Sequence, residues 1–216
     1  MKKLIIVSLA SAFLSSWLCA QIYTEGYVSQ TISDTPTFSS GGLYVGGHGG
    51  PGALVVGAGG SATFSGSQLQ IGGTPYAGLG GDGTITVSGG QLYSYDRALF
   101  GIASSSGYTG VTGSLYLNSG TVSLTTVSLG QSQDYTGVVN VSGGTLTVSQ
   151  SLVVGGSGDG RFVMSGGTAV LQNLTISNAD GPGVGHVTVS GGSLTITGGL
   201  STGGSNSRGG SLTVKG

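Results

Sequence analysis

A unit of about 24 residues recurs along most of this chain, and it narrows the accessible folds more than any other feature. Its form is G-x-h-x-h-S-G-G-x-h-x-h, then roughly three polar residues, then L-x-h-G and a variable Gly-rich stretch, where h is apolar. The clearest copy runs Gly137-Val138-Val139-Asn140-Val141-Ser142-Gly143-Gly144-Thr145-Leu146-Thr147-Val148 and continues to Ser151-Leu152-Val153-Val154-Gly155. Others centre on Val87-Ser88-Gly89-Gly90, Met164-Ser165-Gly166-Gly167 and Val189-Ser190-Gly191-Gly192. Weaker copies surround Phe64-Ser65-Gly66, Leu117-Asn118-Ser119-Gly120 and Gly210-Ser211-Leu212. Aligned on the residue before the glycine turn, positions 65, 88, 118, 142, 165, 190 and 215 are separated by 23, 30, 24, 23, 25 and 25 residues.

Such a period is too short for a four-stranded propeller blade and carries no helical pattern, but it suits one turn of a parallel β-helix. Val139 and Val141, Leu146 and Val148, and Leu152 and Val154 alternate with polar neighbours, as they must when every second side chain enters a core. Three short strands per turn follow, with Ser-Gly-Gly at one corner because glycine accepts positive φ without a steric penalty. The expected fold is therefore all-β: a parallel β-helix (β-solenoid) of about seven coils with a roughly 24-residue period, stacked about 4.8 Å apart. Thr84, Thr86, Thr145, Thr147, Thr195 and Thr197 are expected on its outside. Residues 21–60, with Leu43-Tyr44-Val45-Gly46 and Leu54-Val55-Val56-Gly57, read as an N-terminal cap or first irregular coil, and residues 61–216 as the repeat array, ending mid-repeat.

Composition agrees with this reading. The 216 residues include 47 glycines without a Gly-X-Y triplet, which excludes collagen, and 37% are hydrophobic, which a flexible Gly/Ser linker is not. Residues 1–20 stand apart: Lys2 and Lys3 precede an apolar run from Leu4 to Leu14, and Leu18-Cys19-Ala20 ends in a small residue, so a signal peptide cleaved after Ala20 is expected. Cleavage there removes the only cysteine, so stability must come from packing and backbone hydrogen bonds rather than disulfides. Residues 21–216 keep Arg97, Arg161, Arg208 and Lys215 against Glu25 and six Asp, a net charge of −3. That sparse balance argues against nucleic acid and against an anionic membrane surface, and no transmembrane segment is expected in the mature chain.

The motif V-S-G-G-T-L-T-V followed by L-x-V-G resembles the Gly-rich β-strand repeats of bacterial autotransporter passenger domains and related exported surface proteins, over about residues 60–216. The resemblance implies an extracellular or outer-surface location in a bacterium and an adhesive or structural role, with glycans or surface proteins as partners. It departs from that family in having neither a membrane barrel nor a hydrophobic anchor after the repeats. An uncapped coil at Lys215-Gly216 would favour end-to-end self-association.

No catalytic constellation emerges, and no metal site or cofactor is expected. Gly155-Gly156-Ser157-Gly158-Asp159-Gly160 approaches a calcium-binding repeat loop, but Gly158 directly precedes Asp159 where that pattern interposes a residue. A carbohydrate-active lyase or hydrolase would need paired carboxylates, and the mature chain has one Glu and six scattered Asp. There is no G-x-S-x-G elbow, and His48 and His186 lie far apart. Carbohydrate binding or cleavage, and calcium-stabilised repeats, stand as the alternatives to a structural or adhesive role. The candidate binding residues are Tyr93, Tyr95, Asp96, Arg97 and Tyr108, in the interval of 30 residues from Ser88 to Asn118. If Leu92 points inward, Tyr93 and Tyr95 share an outward face beside a protruding loop. A Thr-x-Thr ladder of the kind that binds ice is too mixed here, since Gln91 and Tyr93 interrupt it.

Overall fold

The computed structural model describes residues 23–25, 28–33, 37–38, 43–47, 50–65, 68–73, 81–102, 110–177, 182–203 and 209–215. The expected signal peptide lies outside these residues, as does Tyr108. Every regular element among them is a β-strand, and every pairing is parallel. No helix among them is long and apolar enough to cross a membrane.

The strands stack into three faces of a β-solenoid of about six turns, close to the number expected. The first face comprises Val28–Ile32, Gly52–Val56, the starts of the long strands Gly83–Phe100 and Thr112–Leu129, then Thr136–Val141, Asp159–Met164, Gly185–Val189 and Gly210–Val214. The second comprises Thr37–Phe38, Ser61–Phe64, the middles of the two long strands, the starts of Thr145–Val154 and Thr168–Ile176, and Ser193–Ile196. Tyr23–Glu25, Leu43–Gly47, Leu69–Ile71, the ends of the same four long strands and Leu200–Thr202 form the third.

In-register stacking turns the alternating apolar residues into continuous rows. Leu54, Ile85, Leu115, Val139, Phe162 and Val187 lie above one another on the first face, Ala62, Leu92, Val122, Leu146 and Ala169 on the second, and Ile71, Phe100, Leu129, Val154 and Ile176 on the third. All belong to one buried core. Large rings share a turn with small residues: Phe64 with Ala62, Phe100 with Ala98 and Ser94, Phe162 with Ala169. This keeps the volume per turn nearly constant along the axis, as close packing requires.

Glycine makes the corners for two different reasons. At the first corner, between the first and second faces, Gly144 has φ of 71°, and an added Cβ would strike the carbonyl of Gly120 in the turn below. The conformation and the stacking both exclude a side chain. At the third corner, where the chain starts its next turn, Gly52, Gly83, Gly113, Gly137, Gly160, Gly185 and Gly210 form an unbroken column. Their φ is ordinary, but a Cβ on Gly113 would overlap the carbonyl oxygen of Ile71, and one on Gly160 the backbone nitrogen of Gly155.

The register corrects one alignment made from sequence. Phe64 pairs with Ser94, so Ser65 belongs to the second corner, and Ala58-Gly59-Gly60 is the true counterpart of Ser88-Gly89-Gly90. Two successive turns are therefore long rather than one, and Leu54-Val55-Val56 lies in a first-face strand. The alternation of period two is the same on both sides of a corner, so a Ser-Gly pair could be assigned to either. The strands within residues 21–60 enter the same three ladders as the rest.

Candidate surface site

The second face presents an uncharged outward surface, mostly of hydroxyl side chains. Its outward side chains form two columns in register: Ser61, Gln91, Thr121, Thr145, Thr168 and Ser193, and beside them Thr63, Tyr93, Ser123, Thr147, Val170 and Thr195. No position in either column is charged. The described charges sit elsewhere: Glu25 on the third face, Asp82, Asp134 and Asp159 near the third corner, Arg161 on the first face, Asp96 and Arg97 at the second corner, and Lys215 just after the last first-face strand.

Tyr93 interrupts the hydroxyl columns between Thr63 and Ser123 and is half-buried. Its phenol donates to Oε1 of Gln91, 2.9 Å away on the same strand and the same face. Leu92 is fully buried, so the expected outward placement of Tyr93 holds. Tyr95 is 65% exposed, the result of a bulge at the second corner. Ser94 pairs with Leu124 and Arg97 with Thr126, so Tyr95 and Asp96 together oppose the single Thr125, and the extra residue turns Tyr95 out of the ladder.

Asp96 and Arg97 are neighbours, but the contact between them is local. The Arg97 backbone N–H donates to Oδ1 of Asp96 at 2.7 Å, which fixes the bulge, while the guanidinium is exposed. The structure thus brings Tyr93, Tyr95, Asp96 and Arg97 to one edge. It does not join to them the other described aromatic residues of the interval: Phe100 is in the core between Ile71 and Leu129, and Tyr116 lies on the first face between Thr86 and Asn140.

Two residues that sequence reasoning passed over belong to this place. Gln91 holds the tyrosine ring, and its signal was available, since it starts the one rung of the second face that reads Gln-x-Tyr. Ser94 lies inward in the row Phe64, Ser94, Leu124, Val148, Leu171, is 2% exposed, and its hydroxyl has no hydrogen-bond partner. Nothing in one sequence separates an inward serine from the many outward ones.

The acidic loops show a different arrangement. Oδ1 of Asp82 accepts the backbone N–H of Thr112 in the next turn at 2.7 Å, a capping role at the third corner. Asp134 and Asp159 line a shallow polar cavity of about 170 Å³ with Gln133, Thr136, Ser157 and Pro182. Among the described residues, no three His, Cys, Asp or Glu side chains come together as a metal-binding group. His186 is exposed, its Nδ1 2.8 Å from Oγ of Ser211 in the next turn.

Compared with protein-family models, with curated proteins and with solved structures, the chain matches none, so its fold rests on the ladders described above and its function on the chemistry of its surface.

Proposed function

We propose that this chain is exported by a bacterium and acts at or beyond the cell surface as a passive structural or adhesive element, similar in role to an autotransporter passenger and without catalysis. The observation that carries the reading is the solenoid itself. Its apolar rows run through successive turns and are closed by backbone ladders, and residues 21–216 contain no cysteine. A rod built this way is stiff and independent of redox conditions. Outside the core it presents repeated neutral positions and one aromatic edge, an arrangement suited to contact over an extended area rather than to chemistry at a point. The basic and apolar character of residues 1–20 supports export.

Expression of the full chain in a bacterial host, followed by fractionation and N-terminal sequencing, tests this. The expected product begins at Gln21 and is found outside the cytoplasm or is accessible to protease added to intact cells. Retention in the cytoplasm with residues 1–20 intact would overturn the export reading. Release of new reducing ends from soluble polysaccharides would replace the passive role with an enzymatic one.

A further inference from the structure

Resting on the adhesive reading, we infer that the second face binds an uncharged polysaccharide, which lies along the solenoid axis with one sugar ring on Tyr93. A neutral pyranose offers an apolar C–H face and a rim of hydroxyls. An aromatic ring complements the first, and side-chain amides and hydroxyls complement the second. Both kinds of group stand together here. A phenol that reaches the outward side chain two residues back runs along its strand, so the bond from Tyr93 to Gln91 holds the ring on this face and orders it before any ligand arrives. Gln91 uses its carbonyl in that bond, which leaves its amide N–H groups to donate to a sugar hydroxyl.

The surroundings extend the match. Ser61 and Thr63 lie one rung below, and Thr121 with Ser123 and Thr145 with Thr147 lie above, each hydroxyl able to donate and to accept. Rungs about 4.8 Å apart carry these hydroxyls along the axis, so a linear polymer seated on Tyr93 meets further hydroxyls on the neighbouring rungs. The absence of charge from both columns selects against acidic polymers, which call for cations on the contact face. The carboxylate of Asp96 is engaged with the backbone of Arg97, and both residues stand at the corner rather than on the columns.

An independent observation marks the same spot. Ser94, next in the chain to Tyr93, is buried without a hydrogen-bond partner, and the bulge just after it leaves Tyr95 65% exposed. A buried hydroxyl without a partner is a local loss of stability on this face, and such departures gather at functional places.

The test is co-sedimentation of the polypeptide 21–216 with insoluble cellulose, chitin, xylan and starch, with an insoluble polygalacturonate, and with beads carrying immobilised serum proteins. Binding to at least one neutral polymer is expected, little changed by salt and weakened about tenfold or more by Tyr93→Ala. Gln91→Ala is expected to weaken it less and Arg97→Gln not at all, with thermal melts confirming that each variant is folded. Binding to the acidic polymer alone, abolished by salt or by Arg97→Gln, overturns the inference and leaves the adhesive reading in place, as does binding to the protein beads alone. Neutral-polymer binding that survives both Tyr93→Ala and Tyr95→Ala overturns the assignment to this face. If no surface is bound, both the inference and the adhesive reading fail.

Discussion

A methyl group at Gly160 has no room: it would overlap the backbone nitrogen of Gly155. Gly160→Ala is therefore expected to destabilise the solenoid by about 1–3 kcal/mol, while Gly57→Ala, whose Cβ would meet only the carbonyl of Ile32 at 3.8 Å, stays within about 0.5 kcal/mol of the parent. Equilibrium urea unfolding of the two variants measures the contrast, and equal effects would refute the steric role of the glycine column. Ser94→Ala has the opposite sign. It removes a buried hydroxyl that has no partner, so a gain of about 1–2 kcal/mol is expected, and a loss would mean that the hydroxyl is hydrogen-bonded after all. The glycines were legible in the sequence as part of the unit, but the reason for each was not. Only the folded backbone shows that Gly144 serves both a positive φ and a close approach, and Gly160 a close approach alone. Ser177 makes the same point from the other side. It stands at the third corner with φ of 60°, its hydroxyl donating to the carbonyl of Gly209 and accepting from the N–H of Gly185, so it supplies by two hydrogen bonds what a glycine there would supply by freedom of φ.

Strands in this fold are held by their faces, and the corners between them by side-chain ladders. At the second corner the Thr126 hydroxyl donates to Oε1 of Gln150, Nδ2 of Asn173 donates to the Gln150 carbonyl at 2.8 Å, and Oδ1 of Asn173 accepts the N–H of Gly199 at 2.8 Å. One asparagine thus ties three successive turns. Asn173→Ala should cost about 1–2 kcal/mol and, more tellingly, speed hydrogen exchange in Leu200–Thr202 without altering that of Thr136–Val141. Exchange that rises uniformly, or not at all, would show that the corner ladder is incidental. Sequence periodicity foresaw three strands per turn, because alternation and glycine punctuation are local properties. It misplaced Ser65 for an equally local reason: Phe64-Ser65-Gly66 imitates a first corner, and only pairing with Ser94 locates it at the second.

The whole molecule is a one-dimensional stack, in which each turn is stabilised by its neighbours and the terminal turns have one neighbour fewer. In the polypeptide 21–216 the cost falls on the last turn, where Leu200, Leu212 and Val214 are 48%, 39% and 69% exposed and Leu194 and Ile196 are only partly buried. Such a polypeptide is expected to associate end to end as its concentration rises, and Leu212→Lys with Val214→Lys to keep it monomeric. Light scattering decides this: a monodisperse parent at high concentration would count against it. At this scale the division between sequence and structure is clear. The period, the alternation, the glycine corners and the paucity of charge are written in neighbouring residues, and they determined an all-β solenoid with a sparsely charged exterior. Register, by contrast, is a relation between residues 21 to 31 apart, fixed by which rows bury best against one another. Tertiary structure alone therefore decided that Ser61 and Thr63 share the second-face columns with Gln91 and Tyr93, and that the serine beneath the aromatic edge is buried without a partner.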